Sequence, residues 1–409
     1  MSLELPIYMD YNATTPCDAR VVDAMAPFWT KNFGNAASRS HSFGWKAEEV
    51  VEIARRQVAD ILSAKPKEIV FTSGATESDN LAIKGVAEFY ENKGKHIITC
   101  LIEHKAVIDP CKYLETKGYE ITWLEPDSEG LVTPQQVEDA IRPDTVLVSI
   151  MLANNETGVI NPITEIGKIC RENQVLFHTD ATQALGKIQI DVNEMNIDLL
   201  SLSAHKLYGP KGVGALYVRS QSPKARLVCQ MHGGGHQRKM RSGTLNVTGI
   251  VGLGKACEIA MQEMPEEAKR LEKLRDRLEQ GMLKNIPYII RSGSAKKRLP
   301  NTTNLAFAYV EGEGMMMKCS NVAVSAGSAC TSESLSASHV LTAMGVSDAL
   351  SHSAMRFSIG RFTTEEEVDY AIEVFIKAVR ELREVSPLVD MAKISGEIET
   401  TNWTKPNEE

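Results

Sequence analysis

Short apolar runs and amphipathic stretches alternate from about residue 45 to residue 220. "EIVFTSG", "HIITC", "TVLVSIM", "VLFHTD" and "LLSLS" are short and mostly apolar, which predicts buried strands. Between the first two, "ATESDNLAIKGVAEFYENKG" places Leu81, Ile83, Val86, Ala87 and Tyr90 at helical spacing, and Gly94 is expected to close that helix. "ITEIGKICRENQ" is a further helical segment, and "GALYV" predicts one more strand close behind "LLSLS". Strands alternating with helices predict a parallel α/β sheet.

After "GGGHQRKMRSGTLN" the pattern becomes strongly helical. "MPEEAKRLEKLRDRLEQGMLKN" sets Leu271, Leu274, Leu278 and Met282 on one face, with Pro265 and two glutamates expected at its start. From there to about residue 385 helices and strands alternate, which predicts a smaller α+β domain beside the large one. The segment from Met391 is polar and is expected to be poorly ordered, with Trp403 its one aromatic side chain and candidate anchor. No internal repeat is present.

Composition narrows the function classes. The 409 residues suffice for two ordinary domains, and 43% hydrophobic with 24% charged residues describes a globular chain. A net charge of −8 argues against direct nucleic-acid binding or attraction to an anionic membrane, both of which favour a basic surface. No apolar run approaches the roughly 18 residues of a membrane span. The opening "MSLELPIYMDYNATTP" lacks the order of a signal peptide and the Arg-rich pattern of a transit peptide, so a cytoplasmic location is expected.

The cysteines are Cys17, Cys100, Cys111, Cys170, Cys229, Cys257, Cys319 and Cys330. They form no C-x-x-C pair and no zinc-knuckle spacing. Seven are expected to be small buried hydrophobes. Cys330 differs, because "VSAGSACTSES" surrounds it with side chains too small to bury it.

In open α/β sheets ligands gather at the carboxyl ends of strands. "EIVFTS" is followed by Gly74-Ala75-Thr76, a small-residue turn at a helix N-terminus whose free N–H groups suit a phosphate. Many tight turns share that pattern. After "HIITC" comes His104, which the pattern leaves as either a packing residue or a functional one. After "TVLVSIM" comes Asn154-Asn155-Glu156-Thr157-Gly158, a polar turn. "VLFHT" leads to Asp180 and Gln183, and "LLSLS" leads to His205 and Lys206. Asp180 and Lys206 are separated by one helix-plus-strand unit, so adjacent strands could present both at one sheet edge. A lysine, a carboxylate and a phosphate turn together are what pyridoxal phosphate requires.

Those motifs, with "YMDYNATTP", "FTSGATESDN", "NNETGVI", "HTDATQALGK", "SAHKLYGPKGVGALYV", "RSGTLN", "SAGSACTSES" and "RFSIGRFTTEEEVDYAIE", resemble the pyridoxal-phosphate cysteine desulfurases of the NifS/IscS type. The likeness runs over nearly the whole chain and is greatest to members that serve iron–sulfur cluster assembly. It implies a fold-type-I transferase with a large domain over residues 15–262 built on a mostly parallel central sheet. It implies a small α+β domain from residues 1–14 and 263–385 carrying the Cys330 segment, then a tail over residues 386–409.

The resemblance also implies roles. Lys206 resembles the lysine that forms the Schiff base with pyridoxal 5'-phosphate, and Asp180 the partner of the ring nitrogen. His104 resembles the imidazole that stacks on the ring and moves a proton. Ala75, Thr76, Ser203 and His205 match phosphate contacts, and Gln183 matches the side chain bonded to the phenolic oxygen. Thr244 matches a residue reaching the phosphate of the other subunit of a homodimer. Asn155 and Arg356 match the groups holding the substrate carboxylate, and a guanidinium fork suits that planar anion. Cys330 matches the thiol that takes sulfur from L-cysteine as a persulfide, leaving alanine. By the same likeness it hands sulfur to an iron–sulfur cluster scaffold protein and other acceptors, including tRNA thiolation, and is a candidate shared cluster ligand. Ala204 and Ala326 stand where relatives often have serine. A selenocysteine lyase, an aminotransferase-like relative and a non-enzymatic assembly protein are the competing readings.

Overall fold

The computed structural model describes residues 3–326, 337–395 and 397–405. A two-residue strand, β1 (Ile7–Tyr8), precedes the main sheet. That sheet is built from β2 (Ile69–Thr72), β3 (His96–Cys100), β4 (Glu120–Leu124), β5 (Thr145–Ser149), β6 (Leu176–Asp180), β7 (Leu199–Ser203) and β8 (Gly214–Val218). Their spatial order is β2-β8-β7-β6-β5-β3-β4. The neighbours from β7 to β4 run parallel, whereas β8 is antiparallel to both β2 and β7. The link from β7 to β8 is too short for a helical crossover, which obliges β8 to turn back.

Alternate residues of these strands feed two apolar layers. Ile98, Val148, Phe177 and Leu200 face one, and Ile97, Leu147, Leu176 and Leu199 the other. The five expected runs all form strands. Edge strand β4, "EITWL", escaped the sequence reading because only Leu124 in it is buried. The helix after β2 spans Ala75–Phe89 and ends at Tyr90, so Gly94 does not close it.

The helix expected to begin at Pro265 instead runs unbroken from Val247 to Asn285. Asn246 caps it by accepting the Gly249 N–H at 3.1 Å. Pro265 removes one donor, but packing on both sides outweighs that loss. Ile250, Leu253 and Cys257 join the large core, whereas Leu271, Leu274, Leu278 and Met282 join a second one with Ile7, Met9, Phe357 and Phe375. The second core backs an antiparallel sheet built from β9 (Ile289–Arg291) and β10 (Thr302–Phe307), with later strands. These are β12 (Ser325–Ala326) and β13 (Ala354–Ser358), and β11 (Val322–Ala323) pairs in parallel with β1. The order is β12-β13-β10-β9.

Contrary to expectation, the tail is docked. Helices Leu388–Ser395 and Glu397–Thr400 lead to Trp403, whose ring centroid lies 5.4 Å from that of Tyr288 and 6.0 Å from that of Tyr309. Thr404 exchanges hydrogen bonds of 2.9 Å with the edge of β9, donating to the Ile289 carbonyl and accepting the Arg291 N–H. An open strand edge and an aromatic slot are tertiary features that local polarity does not report. Cys100, Cys111, Cys170, Cys257 and Cys319 are buried as expected, whereas Cys17 and Cys229 are partly exposed and fall outside that expectation. Among the described residues no helix is long and apolar enough to cross a membrane.

Candidate active site

A cavity of about 750 Å³ opens at the carboxyl ends of the parallel strands. Ala75, Thr76, His104, Asn155, Asp180, Gln183, Ser203, His205, Lys206 and Arg356 all line it. Ten expectations scattered over the sequence therefore meet in one place. Thr244 is exposed and is not among the lining residues. Cys330, with the cluster-ligand role suggested for it, lies outside the described residues.

Except for Arg356, the contributors sit at or just past strand ends. Ala75 opens a 15-residue helix directly after β2, with Gly74 at its N-cap. The first N–H groups of such a helix have no intrahelical acceptor and present the positive end of its dipole. Strand β8 crosses so close to this turn that a Cβ on Gly214 would lie 2.8 Å from the Gly74 Cα and 2.4 Å from the Leu202 carbonyl oxygen. Only glycine permits that approach. Glu77 stiffens the turn by accepting the Ser73 N–H at 2.7 Å and pairing with Arg241 at 2.7 Å.

Lys206 follows β7 on one turn of 3-10 helix. Its Nζ donates to the backbone carbonyls of Asn12 and Ala13, the latter at 2.6 Å. Its neighbour His205 bonds Thr14 Oγ1 through Nδ1 at 3.1 Å, and burial with the nearby lysines pushes that imidazole down to about 4. His205 is thus neutral at ordinary pH. His104 caps the helix Lys105–Glu115, its Nδ1 accepting the Ala106 N–H at 3.1 Å. That bond assigns Nδ1 as acceptor, so the neutral ring carries its N–H on Nε2.

Asp180 ends β6 and accepts the Thr182 N–H at 2.9 Å. Glu103 and Asp79 are buried in the same region. Burial first, then the charge of Asp180, pushes Glu103 up to about 8 and raises Asp79 well above the usual carboxylate range. Beneath them His178 bonds Ser149 at 2.8 Å and Ser201 at 3.0 Å, and burial holds it down to about 3. Neutral acids and a neutral imidazole thus surround the Asp180 carboxylate. That carboxylate is buried without a cationic side chain paired to it among the described residues. A protonated pyridine nitrogen would supply a positive charge there.

Arg356 lies on β13, with its guanidinium almost fully buried. It donates to the Asn155 carbonyl at 2.9 Å, Ser325 Oγ at 3.0 Å and Asp10 at 2.6 Å. Its Nε has no hydrogen-bond partner among the described residues. In "NNETG" the organising side chain is Asn154, whose Oδ1 accepts the Glu156 and Thr157 N–H groups at 2.9 and 3.0 Å. Asn155 is left at the rim.

Sequence reasoning assigned no role to Asp10, Asn12, Thr14 or Ser325. Asn12 acts through its backbone oxygen, which no side-chain signature announces. Asp10 stood inside a quoted motif but could not be paired with Arg356 without the fold.

Pyridoxal 5'-phosphate fits these residues: helix N–H groups and Ser203 for a phosphate, Lys206 for the aldehyde, Asp180 for the ring nitrogen. Comparisons agree. The aminotransferase class-V pattern matches residues 7–371. "Cysteine desulfurase IscS" of Anaeromyxobacter sp. (strain K) is 58% identical over 405 residues, covering 99% of this chain and 100% of that one. A solved structure titled "NIFS-LIKE PROTEIN" superposes with a TM-score of 0.86 at 40% identity, covering 92% of this chain and 100% of the other. A second, "SspA in complex with cysteine", gives 0.78 at 41% identity over 88% of this chain and 100% of the other. On that full-length likeness the chain belongs to the aminotransferase class-V family, among its pyridoxal-phosphate cysteine desulfurases of the NifS/IscS type.

Proposed function

We propose that this protein removes sulfur from L-cysteine, forms L-alanine, and carries the sulfur on Cys330 as a persulfide for iron–sulfur cluster assembly and tRNA thiolation. The observation that carries the reading is the meeting of the Lys206 amine, the buried Asp180 carboxylate and the Gly74–Thr76 helix terminus in one cavity. Bound there, pyridoxal phosphate supplies the electron-withdrawing ring that acidifies the substrate α-carbon.

Arg356 and Asn155 hold the substrate carboxylate. Asp180 would face the ring nitrogen, while burial and the nearby Asp180 charge hold Glu103 and Asp79 toward their neutral forms. Lys206 takes the α-proton, and His104 takes part in proton transfer. The Cys330 thiolate attacks the substrate sulfur, so that an S–S bond forms as the C–S bond breaks. The electron pair of the broken bond returns to the carbon skeleton, which takes up protons and leaves as alanine.

A homodimer is supported by Thr244, which stands outside its own cleft, and by the exposed aromatic side chains Trp29, Phe33, Phe43 and Trp45 in and before the first turn of the helix Ser42–Asp60. The acceptors are a cluster scaffold protein and other sulfur carriers, in the cytoplasm. The domain division at residues 262 and 263 falls within the long helix and is supported by the separate cores on its two halves.

The test is to incubate the protein, loaded with pyridoxal phosphate, with cysteine and measure alanine and added sulfur mass on Cys330. One alanine per sulfur is expected, and Cys330→Ser should bind cofactor but take up no persulfide. Formation of a keto acid with an aminated cofactor instead of alanine would establish a transaminase.

A further inference from the structure

Lys187 lies on the turn after β6 and lines a small internal cavity behind the cleft together with Lys206, Tyr208, Glu267 and Asn301. Its Nζ donates to Gln183 Oε1 at 3.1 Å. At the other end of that carboxamide, Nε2 donates to the Asn12 carbonyl at 2.9 Å. Lys206 Nζ donates to the same carbonyl. These contacts form one chain of hydrogen bonds from Lys187 through Gln183 and Asn12 to Lys206.

Lys187 Nζ is the donor to Gln183 Oε1, and the Asn12 carbonyl at the other end can only accept. The two ends therefore dictate a single orientation of the Gln183 amide, oxygen toward Lys187 and NH2 toward the cleft. An apolar residue at 187 would leave Gln183 Oε1 without its donor and loosen the amide. The charged groups that bear on Lys187 are Lys206, Arg356 and Glu267, and those that bear on the turn of Lys206 include Lys211. Burial first, then Lys206 and Arg356, pushes the Lys187 ammonium down to about 7, whereas Glu267 works in the opposite direction.

Resting on the cofactor assignment above, we propose that Lys187 is a positioning residue that holds the Gln183 NH2 as a donor toward the phenolic oxygen of bound pyridoxal phosphate and, in its protonated form, sets a positive charge behind Lys206. A donor on that oxygen and a cation behind the lysine both disfavour protonation of the cofactor–lysine linkage. Removing Lys187 should therefore make the linkage hold its proton to higher pH.

The experiment reconstitutes Lys187→Met, Lys187→Gln and Lys187→Arg with pyridoxal phosphate and titrates the visible absorbance against pH. The midpoint is expected to rise by about half a unit to one unit in the Met and Gln variants, with Arg close to the unaltered protein. Cofactor dissociation constants should rise about five- to tenfold in the same two. Should Met fail to fold, Gln, which retains most of the volume, reads the same quantity. An unmoved midpoint in variants that bind cofactor overturns this proposal alone, as does an Arg variant as impaired as Met. Failure of the unaltered protein to bind pyridoxal phosphate overturns the cofactor assignment with it.

Discussion

Arg356 on β13 pairs with Asp10, which lies just past β1 and bridges to Ser358 at the end of the same strand, and the two side chains meet at 2.6 Å with the guanidinium almost wholly buried. On the proposed function, a substrate carboxylate would share or replace this contact. Losing a charged partner in so dry a place costs about 2–3 kcal/mol. Asp10→Asn should therefore lower the thermal midpoint, and cysteine should restore more of it than it adds to the unaltered protein. Arg356→Lys, which loses the planar fork, should raise KM for cysteine about tenfold or more while leaving cofactor absorbance intact. Scanning fluorimetry with and without cysteine, together with steady-state kinetics, reads both. A cysteine effect equal in both proteins would separate Asp10 from the substrate site.

Glu103 makes stability fall with pH. Its folded value of about 8 lies above the ordinary 4.5, so between those values the folded protein binds the extra proton. The contribution is complete below the lower value and is lost as pH rises through the upper one. Glu103→Gln retains an oxygen for the Met151 N–H, now accepted at 2.6 Å, and removes the titration. Relative to the unaltered protein, the variant should gain on the order of 2–4 kcal/mol between mildly acidic and mildly alkaline pH. Denaturant titrations across that range measure the gap, and parallel pH profiles would contradict it.

His104 caps a helix and has a proposed proton-transfer role, and two substitutions separate these. His104→Asn keeps an acceptor for the Ala106 N–H, so stability should change by less than about 1 kcal/mol. Turnover should fall roughly 10²- to 10⁴-fold in both His104→Asn and His104→Ala, with only the latter also losing stability. Turnover preserved in Asn would leave His104 as a cap alone.

Gly214→Ala places a methyl against the Leu202 oxygen and the Gly74 Cα, neither of which can move without shifting a strand or the phosphate turn. A loss of about 1–3 kcal/mol in stability is expected, with weaker pyridoxal phosphate binding. Equilibrium dialysis and thermal melts report the two effects. Unchanged cofactor affinity would mean that the turn is set without β8.

Most of the large sheet was legible because its strands, buried on both faces, read as apolar runs separated by amphipathic helices. Where that contrast weakened, the reading failed. Strand β4 is half exposed, Pro265 is absorbed into a helix held by two cores, and the tail is ordered by Tyr288, Tyr309 and the edge of β9. Of the cleft, the residues after strand ends were legible because strand polarity places them together. Asp10, Asn12 and Lys187 were not, since a backbone oxygen and the far end of a lysine have no local pattern.

By itself, then, the sequence determined which side chains stand at the sheet's carboxyl edge, because alternation and strand direction are local properties of the chain. Only tertiary structure decided how they are charged and oriented. It buries Glu103 and Asp79 beside Asp180, brings Asp10 onto Arg356, and ties Lys187 through Gln183 and Asn12 to Lys206. Desolvation and hydrogen-bond direction depend on what the rest of the chain packs against each group, and that information exists only once the chain has folded.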